Sequence, residues 1–135
     1  MVLDGSVTLA WCFKGERTPA IDDLLLRVAE NGAVVPALWR LEVANGLLAG
    51  LRRGRLTAEI RDAFLVDLGE MRIGTDPETD RYAWTTTQRL AERHGLTIYD
   101  ASYLELAQRL SLPLASLDRA LRHAGTAAGI DLLGE

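Results

Sequence analysis

Short apolar runs alternate along this chain with longer stretches whose apolar residues recur every three or four positions. The first pattern predicts buried strands and the second amphipathic helices. Residues 2–4 read as a first strand. After the turn Gly5-Ser6, residues 7–13 continue as an apolar helix that Gly15 breaks. Thr18-Pro19, a capping residue followed by proline at the first helical position, starts a helix over 20–30 with Leu24, Leu25 and Val28 inward. Asn31-Gly32 ends it, and residues 33–35 form a second strand stopped by Pro36. The spacing of Leu41, Ala44, Leu48 and Leu51 predicts a helix over 37–53 that buries this stripe and stops at Gly54. Thr57 caps the next helix, with Ile60, Ala63, Phe64 and Leu68 inward, and residues 71–73 make a third strand. Asp76-Pro77-Glu78 opens a helix that runs to His94 and stops at Gly95. The run Leu96-Thr97-Ile98-Tyr99 ends at Asp100, which opens a helix continuing through 102–110. Residues 112–116 form a strand, 118–123 a short helix and 130–133 a last edge strand.

Strand-like runs separated by helical patterns, without a long hairpin signal, point to a parallel sheet of four to five short strands covered by helices on both faces. With 135 residues and no linker or repeat, the chain is expected to be one domain over 1–135. Hydrophobic residues make up 48% and charged residues 25%, a globular balance. No run approaches the roughly 20 apolar residues of a membrane span. Cys12, the single cysteine, has no disulfide partner and reads as buried filler. These features fit a cytoplasmic protein. The formal charge of −4 argues against a module that binds nucleic acid by phosphate neutralisation alone. It is compatible with a nuclease whose acids are covered by a cation.

The candidate chemistry lies in four acids at the edges of the pattern: Asp4, Glu42, Asp100 and Asp118. In a parallel α/β fold, such edges are the carboxyl ends of strands and the first turns of the helices beyond, the side where ligand crevices form. Taken singly, Asp100 and Asp118 read as helix caps and Asp4 as a turn residue. Glu42 is different. It sits between Leu41 and Val43 with Asn45 on the same face, and its cost of burial calls for a metal or an arginine such as Arg40. Two carboxylates about 5 Å apart at an effective dielectric of about 20 repel by roughly 3 kcal/mol. Four together therefore require a cation. Oxygen donors suit Mg²⁺ or Mn²⁺, whereas zinc prefers His and Cys. A hard cation there would activate a water, orient a phosphate and stabilise the leaving oxygen. There is no glycine-rich phosphate loop and no Gly-x-Ser-x-Gly elbow. His94 is explained by its place at a helix end. A phosphoacceptor domain also gathers acids at strand ends, but it needs a lysine late in the chain, and the only lysine is Lys14. A non-catalytic binding module with a degenerate site is the other alternative, which the presence of all four acids disfavours.

At these residues the chain resembles PIN-domain proteins, and most closely the VapC-type toxins of toxin–antitoxin pairs. The likeness rests on Val2-Leu3-Asp4-Gly5-Ser6-Val7, on the segment from Pro36 through Glu42 to Asn45, on Leu96 through Asp100 to Leu104, and on Leu112 through Ser116 to Asp118. These stand in the family's order across nearly the whole chain. The resemblance implies a three-layer α/β/α fold, Mg²⁺- or Mn²⁺-dependent endoribonuclease activity on RNA, a VapB-like antitoxin partner and a homodimer. By motif position, Asp4, Glu42, Asp100 and Asp118 would bind the metal and be catalytic. Ser6 and Ser116 match small polar positions that would hold a carboxylate or a metal-bound water by hydrogen bond, and Asn45 matches a supporting polar position near the glutamate. Gly5, where the family often has alanine, and Ser116, where threonine is commoner, are mild departures that remove no carboxylate. Trp11, Trp39 and Trp84 are expected to be core aromatics, with an antitoxin groove as the other use. Arg52, Arg53 and Arg55 are expected to be a solvated helix end, with guidance of RNA or contact with an acidic antitoxin tail as the other use.

Overall fold

A computed structural model describes all residues, 1–135. Five short strands, β1 (Val2–Leu3), β2 (Ala33–Val35), β3 (Ile73–Thr75), β4 (Leu114–Ala115) and β5 (Leu132–Leu133), form one sheet in the order β3-β2-β1-β4-β5. Every pairing is parallel, with Val2 opposite both Val34 and Leu114 and Leu3 opposite Ala115. Eight helices connect them: α1 (Gly5–Cys12), α2 (Pro19–Asn31), α3 (Trp39–Arg52), α4 (Ala58–Glu70), α5 (Thr79–Ala83), α6 (Thr86–His94), α7 (Ile98–Leu110) and α8 (Arg119–Ala127). Packing of α1 with α2 and α3, and separately of α7 with α5, α6 and α8, defines the helical layers of a three-layer α/β/α architecture. From β1 the chain winds outward to β2 and β3, then crosses back to β4 beside β1. That reversal leaves a switch point between the carboxyl ends of β1 and β4, where crevices of such sheets open.

The central strands need only two residues each because both faces are covered. Val2, Leu3, Leu114 and Ala115 are all fully buried. Thr18 and Thr57 cap α2 and α4 by accepting the Ile21 and Ile60 N–H groups. α7 is the most deeply set helix, with Ala101 through Ala107 all buried.

Several expectations are corrected. Helix α3 buries Trp39, Val43, Leu47 and Gly50, whereas Leu41, Ala44 and Leu48 face outward, Leu41 being 76% exposed. The helix carries apolar side chains on two faces, so periodicity alone did not choose between them. Close approach did. A Cβ on Gly46 would collide with Leu9, and one on Gly50 would lie 2.6 Å from Phe13, so the glycine-bearing side is the one that fits against α1. In α4 only Leu68 is buried, Phe64 is half-buried, and Ile60 and Ala63 are exposed. Strand β3 begins at Ile73 rather than Met71 and runs through Gly74, a residue that weakens the sequence signal but is tolerated at the sheet edge. The expected helix to His94 breaks at Trp84 and Thr85 into α5 and α6. Residues 98–99 are the first turn of α7, not the end of a strand, and Thr97 is its cap. Cys12 is only partly buried.

The helix start read at Asp76-Pro77-Glu78 stands, with Glu78 at the cap position of α5, but Asp76 has a further partner. It is buried, and Arg109 on α7 reaches it through Nη2 at 2.6 Å from Oδ2 and Nη1 at 3.3 Å from Oδ1. The same guanidinium bonds Glu105 through Nε at 2.7 Å and lies 4.6 Å from the centre of the Tyr82 ring. Burial works to raise the Asp76 carboxyl. The Arg109 hydrogen bonds and charge, the Glu78 backbone and Thr79 outweigh it and hold the group below its ordinary value. A depressed carboxyl stabilises the fold above its unfolded value of about 3.9, and that contribution is lost as the pH falls through the lower, folded value. Arg109→Ala leaves Asp76 and Glu105 buried without a cation and is expected to cost about 3–5 kcal/mol in a urea melt. The same variant should lose the acid-side decline of stability that Asp76 gives the native protein.

Candidate active site

The local sequence places each of the four acids by a different route. Asp4 is the residue at which β1 becomes α1, so its side chain stands at the carboxyl edge of the central strand. Asp118 follows β4 and caps α8, its Oδ2 accepting the Leu121 N–H at 2.8 Å. Glu42 and Asp100 lie in the first turns of α3 and α7. All four therefore belong to the edge of the molecule at which the strands end and the helices begin.

Asp4 is the best-anchored member. It is 6% exposed, and its Oδ2 accepts from Ser6 Oγ at 2.5 Å and from Ser116 Oγ at 2.8 Å. The direction of those bonds is fixed. The Leu117 N–H donates to Ser6 Oγ at 2.9 Å and the Asp118 N–H to Ser116 Oγ at 3.0 Å. With a backbone donor on each oxygen, each hydroxyl hydrogen is free to turn to the carboxylate. No side chain donates to Oδ1 of Asp4.

Glu42 is half-buried, and its partner is Tyr103, whose hydroxyl donates to Oε1. Arg40 does not pair with it. Tyr103 was missed in the sequence. Its position in the middle of an apolar helix looks like core, and the ring is indeed fully buried, but the hydroxyl emerges at the carboxylate. Asn45, three residues on from Glu42 in α3, is exposed and makes no side-chain hydrogen bond. Asp100 does not cap its helix; Thr97 does, accepting the Asp100 N–H at 3.1 Å.

The electrostatics tie these groups together. Burial raises the Asp4 carboxyl, opposed by the Ser6 and Ser116 hydroxyls and reinforced by the Asp118 charge. Burial also raises Glu42, with Tyr103 opposing and Asp4 and Asp100 adding to it. Asp100 is raised by burial and then by Asp118 and Asp4. Tyr103 is pushed upward by burial and by Glu42, which keeps its hydroxyl protonated as a donor. The carboxylates thus repel one another across one crevice, though no three of the chain's His, Cys, Asp or Glu side chains close into a ready cage. Of the tryptophans, Trp11 and Trp39 are core, donating to Ile21 O at 3.0 Å and Thr8 Oγ1 at 3.2 Å, while Trp84 is 90% exposed.

A parallel α/β sheet with an electronegative crevice at its switch point is the class that fold and geometry define. The PIN domain family model matches residues 1–127. Ribonuclease VapC3 of Pyrobaculum aerophilum is 30% identical over 125 residues, 90% of this chain and 91% of that protein. Among solved structures, PAE2754 from Pyrobaculum aerophilum aligns with a TM-score of 0.67 at 27% identity, over 91% of this chain and 84% of that one. FitAcB from Neisseria gonorrhoeae aligns with a TM-score of 0.62 over 98% and 96%, at 17% identity, a likeness of fold alone. The chain belongs to the PIN-domain family, as a VapC-type member.

Asp4→Ala is expected to cost about 1–3 kcal/mol, because two aligned hydroxyls lose their acceptor. Asp4→Asn keeps an acceptor oxygen and removes a buried charge, so its melting temperature at pH 7 should match or exceed that of the native protein. Thermal melts of the two variants side by side test this ordering.

Proposed function

We propose that this protein is a metal-dependent endoribonuclease that cuts RNA phosphodiester bonds, the toxin of a VapBC-like type II toxin–antitoxin pair. The observation that carries the reading is the mutual repulsion of Asp4, Glu42, Asp100 and Asp118 at the switch point. Ionised carboxylates held in this way favour a counter-charge, and an all-oxygen donor set without histidine or thiol fits Mg²⁺ or Mn²⁺ in kind. In this reading the four acids hold the cation and form the catalytic set. When bound, the cation supplies Lewis acidity toward a phosphate oxygen and a water made acidic enough to attack.

The chain's own residues have separate tasks. Ser6 and Ser116 fix the Asp4 carboxylate so that one oxygen is spoken for and the other faces the crevice. Tyr103 holds Glu42 in the same way from α7. Such supporting hydrogen bonds orient ligands and tune them. Asn45, on the same helix as Glu42, is the other polar residue assigned to support the site. The VapB-like antitoxin, the homodimer and a cytoplasmic location belong to the same reading and rest on the family. No helix is long and apolar enough to cross a membrane.

Asp4→Asn and Asp100→Asn should each abolish RNA cleavage and growth inhibition while the fold persists by circular dichroism. Cleavage by Asp4→Asn at the native rate with Mg²⁺ or Mn²⁺ present would refute the assignment. Tyr103→Phe should lower metal affinity or activity by about 10- to 100-fold, the scale for losing a group that orients a ligand. Titration calorimetry with Mn²⁺, run beside the cleavage assay, separates that effect from misfolding.

A further inference from the structure

A groove leaves the crevice at Ser6 and Asp118 and ends at Arg53 and Arg55. Its volume is about 440 Å³, within the range of roughly 300–1,000 Å³ for ligand clefts. One wall is α1 and the residue that ends it, through Ser6, Leu9 and Phe13, and the other is the Gly46, Ala49 and Gly50 face of α3 with Arg53 at its end. The glycines make it possible, since a Cβ at Gly46 or Gly50 would collide with Leu9 or Phe13. Along this path the charge changes sign, from the Asp118 carboxylate at one end to two guanidinium groups, one of them paired with Glu16, at the other. From Glu42 to Arg53 the axial rise of helix α3 is about 16 Å, so the basic end is too far away to touch a phosphate being cut at the acids.

Arg55 is held rather than loose. Its guanidinium lies 4.2 Å from the centre of the Phe13 ring, and its Nη2 is 3.0 Å from Glu16 Oε2. Arg53 forms no ion pair. We propose that Arg53 and Arg55 form a positioning site for a backbone phosphate of the RNA strand, away from the scissile bond, with the strand lying in the groove between α1 and α3. The inference rests on the ribonuclease reading. An RNA strand suits the whole groove better than an acidic peptide does, because a strand cut at the acids must leave them along an adjoining surface, and this groove runs from Asp118 to the arginines. Arginine's planar fork suits phosphate oxygens. Glu16 competes with the phosphate for Arg55, and this gives the proposal an effect of opposite sign to test.

The probe is a fluorescent single-stranded RNA oligonucleotide of mixed sequence, bound to the full chain in EDTA so that nothing is cut, with anisotropy followed against salt. Arg53→Ala/Arg55→Ala should weaken binding and lower the slope of log K against log salt by about 0.7 for each phosphate that the arginines neutralise. Arg53→Lys should restore most of the slope, and Glu16→Gln should tighten binding. An exposed pair such as Arg55–Glu16 contributes little to stability, so melting temperatures should hold. An unchanged salt slope in the double variant, or unchanged binding with Glu16→Gln, overturns the proposal. So does an oligo-glutamate peptide that binds this groove more tightly than RNA does. Cleavage with Mn²⁺ is read separately: its absence from the native protein would refute the nuclease reading, while the EDTA measurement still reports on the groove.

Discussion

One buried carboxylate organises the carboxyl edge of the sheet. Asp4 is nearly inaccessible to solvent, lies beside another acid, and takes two hydroxyl hydrogen bonds on one oxygen. Those hydroxyls are themselves held by the backbone of the segment leaving β4, so Asp4 fastens the end of β1 to the beginning of α8. The same bonds only partly offset the desolvation, and the carboxyl remains raised. The result is a crevice that is rigid in its hydrogen bonding and short of positive charge.

Helix α7 connects this crevice to the rest of the fold. On one side Tyr103 crosses to Glu42 on α3, and six residues later Arg109 reaches Asp76 at the end of β3. One deeply buried helix therefore makes polar contact with α3 from its middle and with the end of β3 from its last turn. The acids are treated in opposite ways: Asp76 is fully partnered by a guanidinium and its carboxyl is lowered, whereas the carboxyls of Asp4, Glu42 and Asp100 are raised by burial and by the charges of neighbouring acids. The first arrangement belongs to stability. The second leaves those carboxylates without an ion-pair partner among the chain's own side chains.

The close pairing of α1 with α3 has a consequence for the surface as well. With Gly46 and Gly50 turned to α1, the leucines at 41 and 48 are left outside. The face that accepts glycine is narrow, and the groove beside it runs from Asp118 to Arg53 and Arg55. Packing, groove and exposed apolar surface thus follow from one choice of helix face.

Much of this was written in the chain. The alternation of runs and periodic stretches named the parallel sheet and nearly every element, because strands buried on both faces and capped helices leave local signatures. The acids at Asp4, Glu42, Asp100 and Asp118 were legible for the same reason, each sitting at a change of pattern. Local sequence did not decide which side of α3 is buried, because apolar residues occupy both, nor the break in the helix before Thr86. It also hid Tyr103 and the pairing of Asp76 with Arg109, since a partner 61 or 33 residues away leaves no periodic trace. Those were decided by tertiary contact: backbones that approach only where glycine lacks a side chain, and buried charges that must find their partners in space.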